Sequence, residues 1–290
     1  MTTTPLITHV SDTARWVAFY RAMESERPDA IFRDPFARRL AGERGEAIVK
    51  QMPKGREFAW PMIVRTAVMD ELILRAAAHD GVDTVLNLAA GLDARPWRLA
   101  LPPSLTWVDV DHPGMIEYKQ SELSGKSPVC RYEGVGLDLA DGPGRRALFS
   151  RVGAGAGRVL VVSEGLLIYL PEDAVAELGK DLHGQPAFAF WLTDLASPAL
   201  LKMMAKNWGP VVAAGNAPFR FGPAESGAFF APFGWREVEF RSMFLESVRL
   251  NRTMRFARFW LALTRLMGAR RREGMRRFSG IALLAREERS

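Results

Sequence analysis

The chain has 290 residues, 48% hydrophobic and 25% charged, with a net charge of +6. This suits one large or two modest domains with a substantial core, and excludes low-complexity and fibrous classes. The lone Cys130 excludes an internal disulfide and a multi-cysteine metal site; in the apolar stretch Val129 to Tyr132 it reads as a buried structural thiol. No stretch resembles an uninterrupted membrane span. The start Met1-Thr2-Thr3-Thr4-Pro5 lacks the basic and apolar regions of a secretion signal, so the expected location is cytoplasmic.

In chain order, about eighty residues precede the first core strand. A helix is expected at 11–26, a turn into another at Arg33 to Arg38, and a long helix at 61–78 ending near Gly81. Residues 1–80 therefore read as a helical cap integral to the catalytic domain, with an α/β core over 81–290. Short apolar strands follow at 83–89, 105–110, 129–137, 158–163 and 187–193, separated by helical intervals at 113–123, 143–151, 171–182 and 198–207. Strand and helix alternation predicts a parallel sheet with right-handed crossovers. Pro171 followed by Glu172 and Asp173 marks a helix start. Residues 207–234, punctuated by glycine and proline and rich in Phe219, Phe221, Phe229, Phe230 and Phe233, suit either a loop lining an apolar acceptor pocket or an aromatic-packed insertion. Trp235 to Phe240 and Ser279 to Leu284 read as strands that close the sheet as an antiparallel pair.

The run Val85 to Arg95, followed by Trp107-Val108-Asp109-Val110-Asp111, pairs two apolar strands with a tight turn and a carboxylate. In an open α/β sheet, ligands bind beyond the carboxyl ends of the strands, and an acid ending the second strand accepts ribose hydroxyls. Asp111 lies twenty positions past Gly91, the separation such an acid takes. A dinucleotide fold wants three glycines to cradle pyrophosphate, whereas this turn offers Gly91 and then Asp93, Arg95 and Pro96. A loop with an acid and few glycines suits a cofactor without phosphate, such as S-adenosylmethionine.

Four motifs in order carry a resemblance. Asn87 to Arg95, Asp109-Val110-Asp111-His112-Pro113, Asp138-Leu139, and Ser163-Glu164-Gly165 through Leu170 resemble those of the leucine carboxyl methyltransferase-like family, with Arg15 to Glu26 and Asp34-Pro35-Phe36-Ala37 similar to bacterial members, some of which act on polyketides. The resemblance covers roughly residues 10–195. It implies a class I methyltransferase fold: a Rossmann-like α/β sheet, mostly parallel with a final antiparallel strand, and a helical N-terminal cap. It also implies S-adenosylmethionine as cofactor. By the same resemblance, Arg65 pairs with the methionine carboxylate, Gly91 forms the turn, and Asp111 is the ribose acid. Asp138 and Leu139 flank adenine, and Glu164 lies near the cofactor's amino-acid end; alternatively Glu164 is a structurally paired acid. Tyr169 is the candidate to orient an acceptor oxygen, or its ring seals the sheet edge.

Two departures stand out. The family's first turn is Asn-Leu-Gly-Ala-Gly, and Ala89 replaces its first glycine; a negative φ there, which tolerates alanine, is expected. Members that methylate a protein phosphatase follow Asp-Leu with an arginine for the acceptor carboxylate, and this chain has Ala140, which argues against that substrate. Of the four histidines, His112 borders the cofactor region, and His9, His79 and His183 offer no convincing base.

From 249 to 277, ten arginines face one acid, Glu273. The interleaved Met254, Phe256, Phe259, Trp260, Leu263 and Leu266 suggest a core-packed helix with a basic solvated face. An anionic substrate entrance, a membrane surface and nucleic acid are the alternatives. The expected function is methyl transfer to a hydroxyl or carboxyl oxygen of a small, aromatic or polyketide-like molecule, with no metal, no nucleic-acid partner and no stable membrane insertion. A protein C-terminal carboxyl methyltransferase and a non-methylating binder or cyclase are the competing readings.

Overall fold

The computed structural model describes residues 12–52, 55–213, 218–254, 259, 261 and 268–288. Its centre is a seven-stranded sheet in the order β3-β2-β1-β4-β5-β7-β6, with β1 at Thr84–Leu88, β2 at Thr106–Asp111, β3 at Arg131–Gly136, β4 at Val159–Ser163, β5 at Phe188–Ala196, β6 at Trp235–Ser242 and β7 at Ser279–Arg286. Neighbours from β3 through β5 pair in parallel, and β7 runs antiparallel to both β5 and β6, as expected from the two late apolar runs. Every residue of β1 and β4 is buried. That is why these segments read as continuous apolar runs: a central parallel strand is covered on both faces.

Strand alternation divides the core. Leu86, Leu88 and Val161 join Phe188, Trp191 and Trp235 on one face, while Val85, Leu160 and Val162 join Trp107 and the helix α3 (Trp60–His79) on the other. Pro61 in the first turn of α3 needs no N–H partner there. The preceding helices α1 (Asp12–Ser25) and α2 (Ala37–Gln51) bury Phe19, Tyr20, Leu40 and Ile48 against Leu92 and Met115. They thereby lie against the turn that follows β1. Between strands run α4 (Arg95–Arg98), α5 (Pro113–Glu122), α6 (Gly142–Gly155) and α7 (Glu172–His183). Pro171 stands just outside α7, which begins at Glu172, one residue later than the sequence suggests.

The region after β5 departs further from expectation. Helix α8 (Pro198–Ala213) extends six residues beyond the expected end at 207, and a run of tight turns occupies Ser226–Phe233. Most of that segment's aromatics are core: Phe221 and Phe230 are buried, and Phe221, Phe229, Phe230 and Phe233 form edge-to-face contacts reaching Trp191. Large rings exclude most water by packing on one another, so Phe229, Phe230 and Phe233 went to the core, and of this segment's aromatics Phe219 and Phe221 line a cavity. The single amphipathic helix expected over 249–277 is not what forms in its described parts. Helix α9 (Met243–Arg249) ends the first part, Asn251 takes a left-handed turn (φ 52°), and α10 (Ala269–Arg276) buries no residue. Arg255, Phe256, Arg258, Trp260, Leu263, Arg265 and Leu266 lie outside the described residues, as does His9.

Candidate active site

The strand order reverses between β1 and β4, since β1 leads to β2 on one side while β4 lies on the other. Such a switch point opens a crevice at the carboxyl ends of the strands. A cavity of about 1630 Å³ lies there, lined by Arg65, Gly91, Asp111, Asp138, Leu139, Glu164 and Tyr169, so every sequence-nominated residue reaches one space.

The turn after β1 is fastened to β2. Ala90 N donates to Val110 O at 3.0 Å, and Gly91 N donates to Asp111 Oδ2 at 2.7 Å. His112 N donates to the other oxygen, Oδ1, at 2.7 Å, so both oxygens of Asp111 are aimed by backbone. Burial holds this carboxyl above its ordinary value despite those two donors. Gly91 has φ +50°, and a Cβ there would sit 3.1 Å from Ala14 Cβ on α1. Ala89 corrects an expectation: its φ is +51°, the left-handed region, not the negative value that would suit alanine. The turn geometry that presents Gly91 to Asp111 imposes this angle, and a Cβ makes it costly by about 1–2 kcal/mol.

Below the turn, side chains are locked in pairs. Asp109 is fully buried, accepts from Lys119 Nζ at 2.6 Å and Trp107 Nε1 at 2.9 Å, and receives Asn87 Nδ2 at 2.9 Å. Arg95, 2% exposed, spans Asp70 at 2.6 Å, Asp93 at 2.7 Å and Glu164 at 2.8 Å. Sequence reasoning assigned no role to Arg95 or Asp93, although both stand in the motif that carried the resemblance.

Glu164 follows β4. Its two oxygens accept from Arg65 Nε at 2.9 Å and Arg95 Nη1 at 2.8 Å. Burial works against ionisation, but Arg95 and Arg65 outweigh it and hold the carboxyl at about 2. Both readings of Glu164 therefore coexist in one geometry, since it is structurally paired and it borders the cavity. Arg65 Nη1 reaches a further acid missed in the sequence, Asp194 on β5, at 3.1 Å. Asp194 in turn accepts from Gly165 N at 2.6 Å. Gly165 (φ +67°) leaves room for the guanidinium, because a Cβ there would sit 3.1 Å from Arg65 Nη1. Asp194 had no motif of its own; its signal was an acid in the apolar run Phe190-Trp191-Leu192-Thr193.

At the far side, Asp138 is exposed and folds back to accept from Ala140 N at 2.9 Å, while half-buried Leu139 packs on the core. Tyr169 stacks on Phe219 with centroids 5.8 Å apart and hydrogen-bonds Thr13, so its ring and hydroxyl are both engaged at the cavity wall. Burial raises its pKa above the ordinary value. Among the histidines, His112 lines the cavity, His79 is exposed at the end of α3, and His183 packs edge-on against Trp235. Burial pushes the Cys130 thiol up to about 11, which fits the structural reading. Among the described residues, no cluster of His, Cys, Asp and Glu could hold a metal ion, and no helix is long and apolar enough to cross a membrane.

A sequence model of the leucine carboxyl methyltransferase family matches residues 14–183, more than half of the chain, including Arg65, Gly91, Asp111, Asp138, Leu139, Glu164 and Tyr169 but not Asp194 or Phe219. The chain belongs to that family. Curated relatives of this family member include a protein of Streptomyces coelicolor, 39% identical over 60% of this chain and 65% of its own length. Another, from Mycobacteroides abscessus, is 36% identical over 60% of this chain and 61% of its own length. Both are named as candidate S-adenosyl-L-methionine-dependent methyltransferases, and the match spans less than two thirds of each. Among solved structures, a DUF574 family protein from Streptomyces avermitilis superposes with a TM-score of 0.60 at 15% identity, covering 95% of this chain and 97% of its own. A candidate methyltransferase from Thermobifida fusca gives 0.55 at 15% identity, covering 98% and 96%. At that identity the likeness shows the fold, which is the class I methyltransferase sheet.

Proposed function

We propose that this protein is an S-adenosylmethionine-dependent O-methyltransferase whose acceptor is a small, largely apolar molecule bearing a hydroxyl. The observation that carries the reading is the single cavity joining Asp111 and Gly91 at one end to Arg65 and Glu164 at the other. Its residues suit the cofactor. Asp111, already fixed by two backbone N–H groups, has acceptor capacity left for ribose hydroxyls, and Asp138 and Leu139 offer an acceptor and an apolar edge for adenine. Arg65 offers a guanidinium for the methionine carboxylate, which takes the place Asp194 holds on it.

When bound, the cofactor supplies a methyl group already activated on a sulfonium. The chain's own residues then need to bind, orient and exclude water, effects worth roughly 7–11 kcal/mol in favourable cases. Tyr169 and Phe219 wall the acceptor side, with Met203, Met204 and Phe278 beyond them. Asp194, released from Arg65 but still held by Gly165 N, is the group we assign to receive the hydroxyl proton.

A hydroxyl is favoured over a carboxylate because, among the described residues, each arginine that lines the cavity is paired with protein acids, and the one we assign to a ligand carboxylate, Arg65, serves the cofactor rather than the acceptor. Arg21 faces Asp34, Arg65 faces Glu164 and Asp194, Arg95 faces three acids, and Arg145 faces Asp181. With Ala140 exposed where phosphatase-methylating members place an arginine, a protein carboxyl terminus fits poorly. Calorimetric titration with S-adenosylmethionine, S-adenosylhomocysteine and NAD tests the reading. Micromolar binding of the first two and none of NAD is expected; failure to bind either of the first two overturns it.

A further inference from the structure

The cavity's mouth can be located by residues that line it and yet stay exposed. Met203 on α8 is 41% exposed, and Met254, after α9, is 46% exposed. Met275 on α10 also lines the cavity, so α8 and α10 both border the opening.

Around these apolar side chains the charge is one-sided. Lys202 and Lys206 are exposed beside Met203 on α8, and Arg270, Arg271, Arg272 and Arg276 are exposed on α10. The acid that these two helices contribute among the described residues is Glu273, already engaged by Arg277 Nε at 2.8 Å. The exposed acids elsewhere on the lining, Glu57, Asp138 and Glu177, are carried by elements other than α8 and α10.

We infer that this mouth docks on an anionic lipid bilayer, and that the acceptor is a lipophilic molecule taken from it. Exposed methionines beside a cluster of arginines and lysines form the pairing that holds proteins at a membrane interface. The apolar side chains enter the headgroup boundary, and each basic residue near the surface adds attraction to acidic lipid. An acidic carrier protein would satisfy the cations but offers no apolar phase for Met203 and Met254. A bilayer satisfies both, and it opens directly onto the apolar end of the cavity. This inference rests on the acceptor-cavity reading above, yet its test does not need turnover.

The experiment is flotation of the full chain with vesicles of phosphatidylcholine alone, and of phosphatidylcholine mixed with phosphatidylglycerol, at low and high salt. The chain should bind the anionic vesicles at least tenfold more tightly, with the difference shrinking as salt rises. The variant Arg270→Glu/Arg271→Glu/Arg272→Glu should lose at least tenfold of that binding while its affinity for S-adenosylhomocysteine, measured in parallel, stays unchanged. Equal binding to both vesicle types, or undiminished binding by the variant, overturns the inference. So does capture by purified acyl carrier protein with no vesicle binding. Loss of S-adenosylhomocysteine binding in the parent chain with vesicle binding intact instead overturns the methyltransferase reading and leaves the surface standing.

Discussion

The two ends of the cavity are built on different physics. At the end beyond β1, β2 and β4, carboxylates and guanidinium groups meet at 2.6–3.1 Å, with Arg65, Arg95 and Lys119 all buried. At the end formed by α8, Phe219, Phe221, α10 and the approach to β7, the wall is methionine and phenylalanine. Ion pairs out of water tolerate little displacement, because an unpaired buried charge is expensive. Apolar walls are non-directional and adapt to the guest, methionine most of all. The first end is therefore suited to one fixed cofactor, and the second can differ among relatives without disturbing the first.

The sharpest way to break that contrast is at Arg95. Arg95→Met removes the cation that Asp93 pairs with and one of the two that Asp70 and Glu164 each hold, and should cost about 3–5 kcal/mol in denaturant unfolding. Next, Arg65→Ala and Asp111→Asn should each weaken S-adenosylhomocysteine by about 1.5–3 kcal/mol, roughly 10- to 150-fold by calorimetry, with the fold retained. Unchanged affinity in both would mean that the charged end does not hold the cofactor.

Glu164 tests the same end through pH. Its folded value of about 2 lies below the ordinary 4.5, so its contribution is present above 4.5 and is lost as pH falls toward 2. Glu164→Gln should be less stable than the parent at neutral pH, with the gap closing over that acid window in pH-dependent unfolding. A constant gap would remove Glu164 from the ion-pair account. Ala89→Gly should raise stability by about 0.5–1 kcal/mol, since relief of the left-handed alanine exceeds the added freedom of the unfolded chain. Smallest of all, Phe219→Leu at the apolar end should change S-adenosylhomocysteine affinity less than twofold; a larger shift would show that the two ends are not independent.

What the sequence by itself determined was the part that repeats at fixed spacing. The buried strands, the turn at Gly91, the acid at Asp111 and the acid after β4 were legible because strand ends and tight turns confine which residue types can stand there. Tertiary structure alone decided the partners. Arg95 and Asp194 were visible as letters, but the space between helix α4, strand β5 and Glu164 exists only once the sheet has closed. Likewise Phe230 became core while Phe219 and Phe221 reached the cavity. Aromatic residues carry no direction in the sequence, and the wall each joins depends on what packs against it.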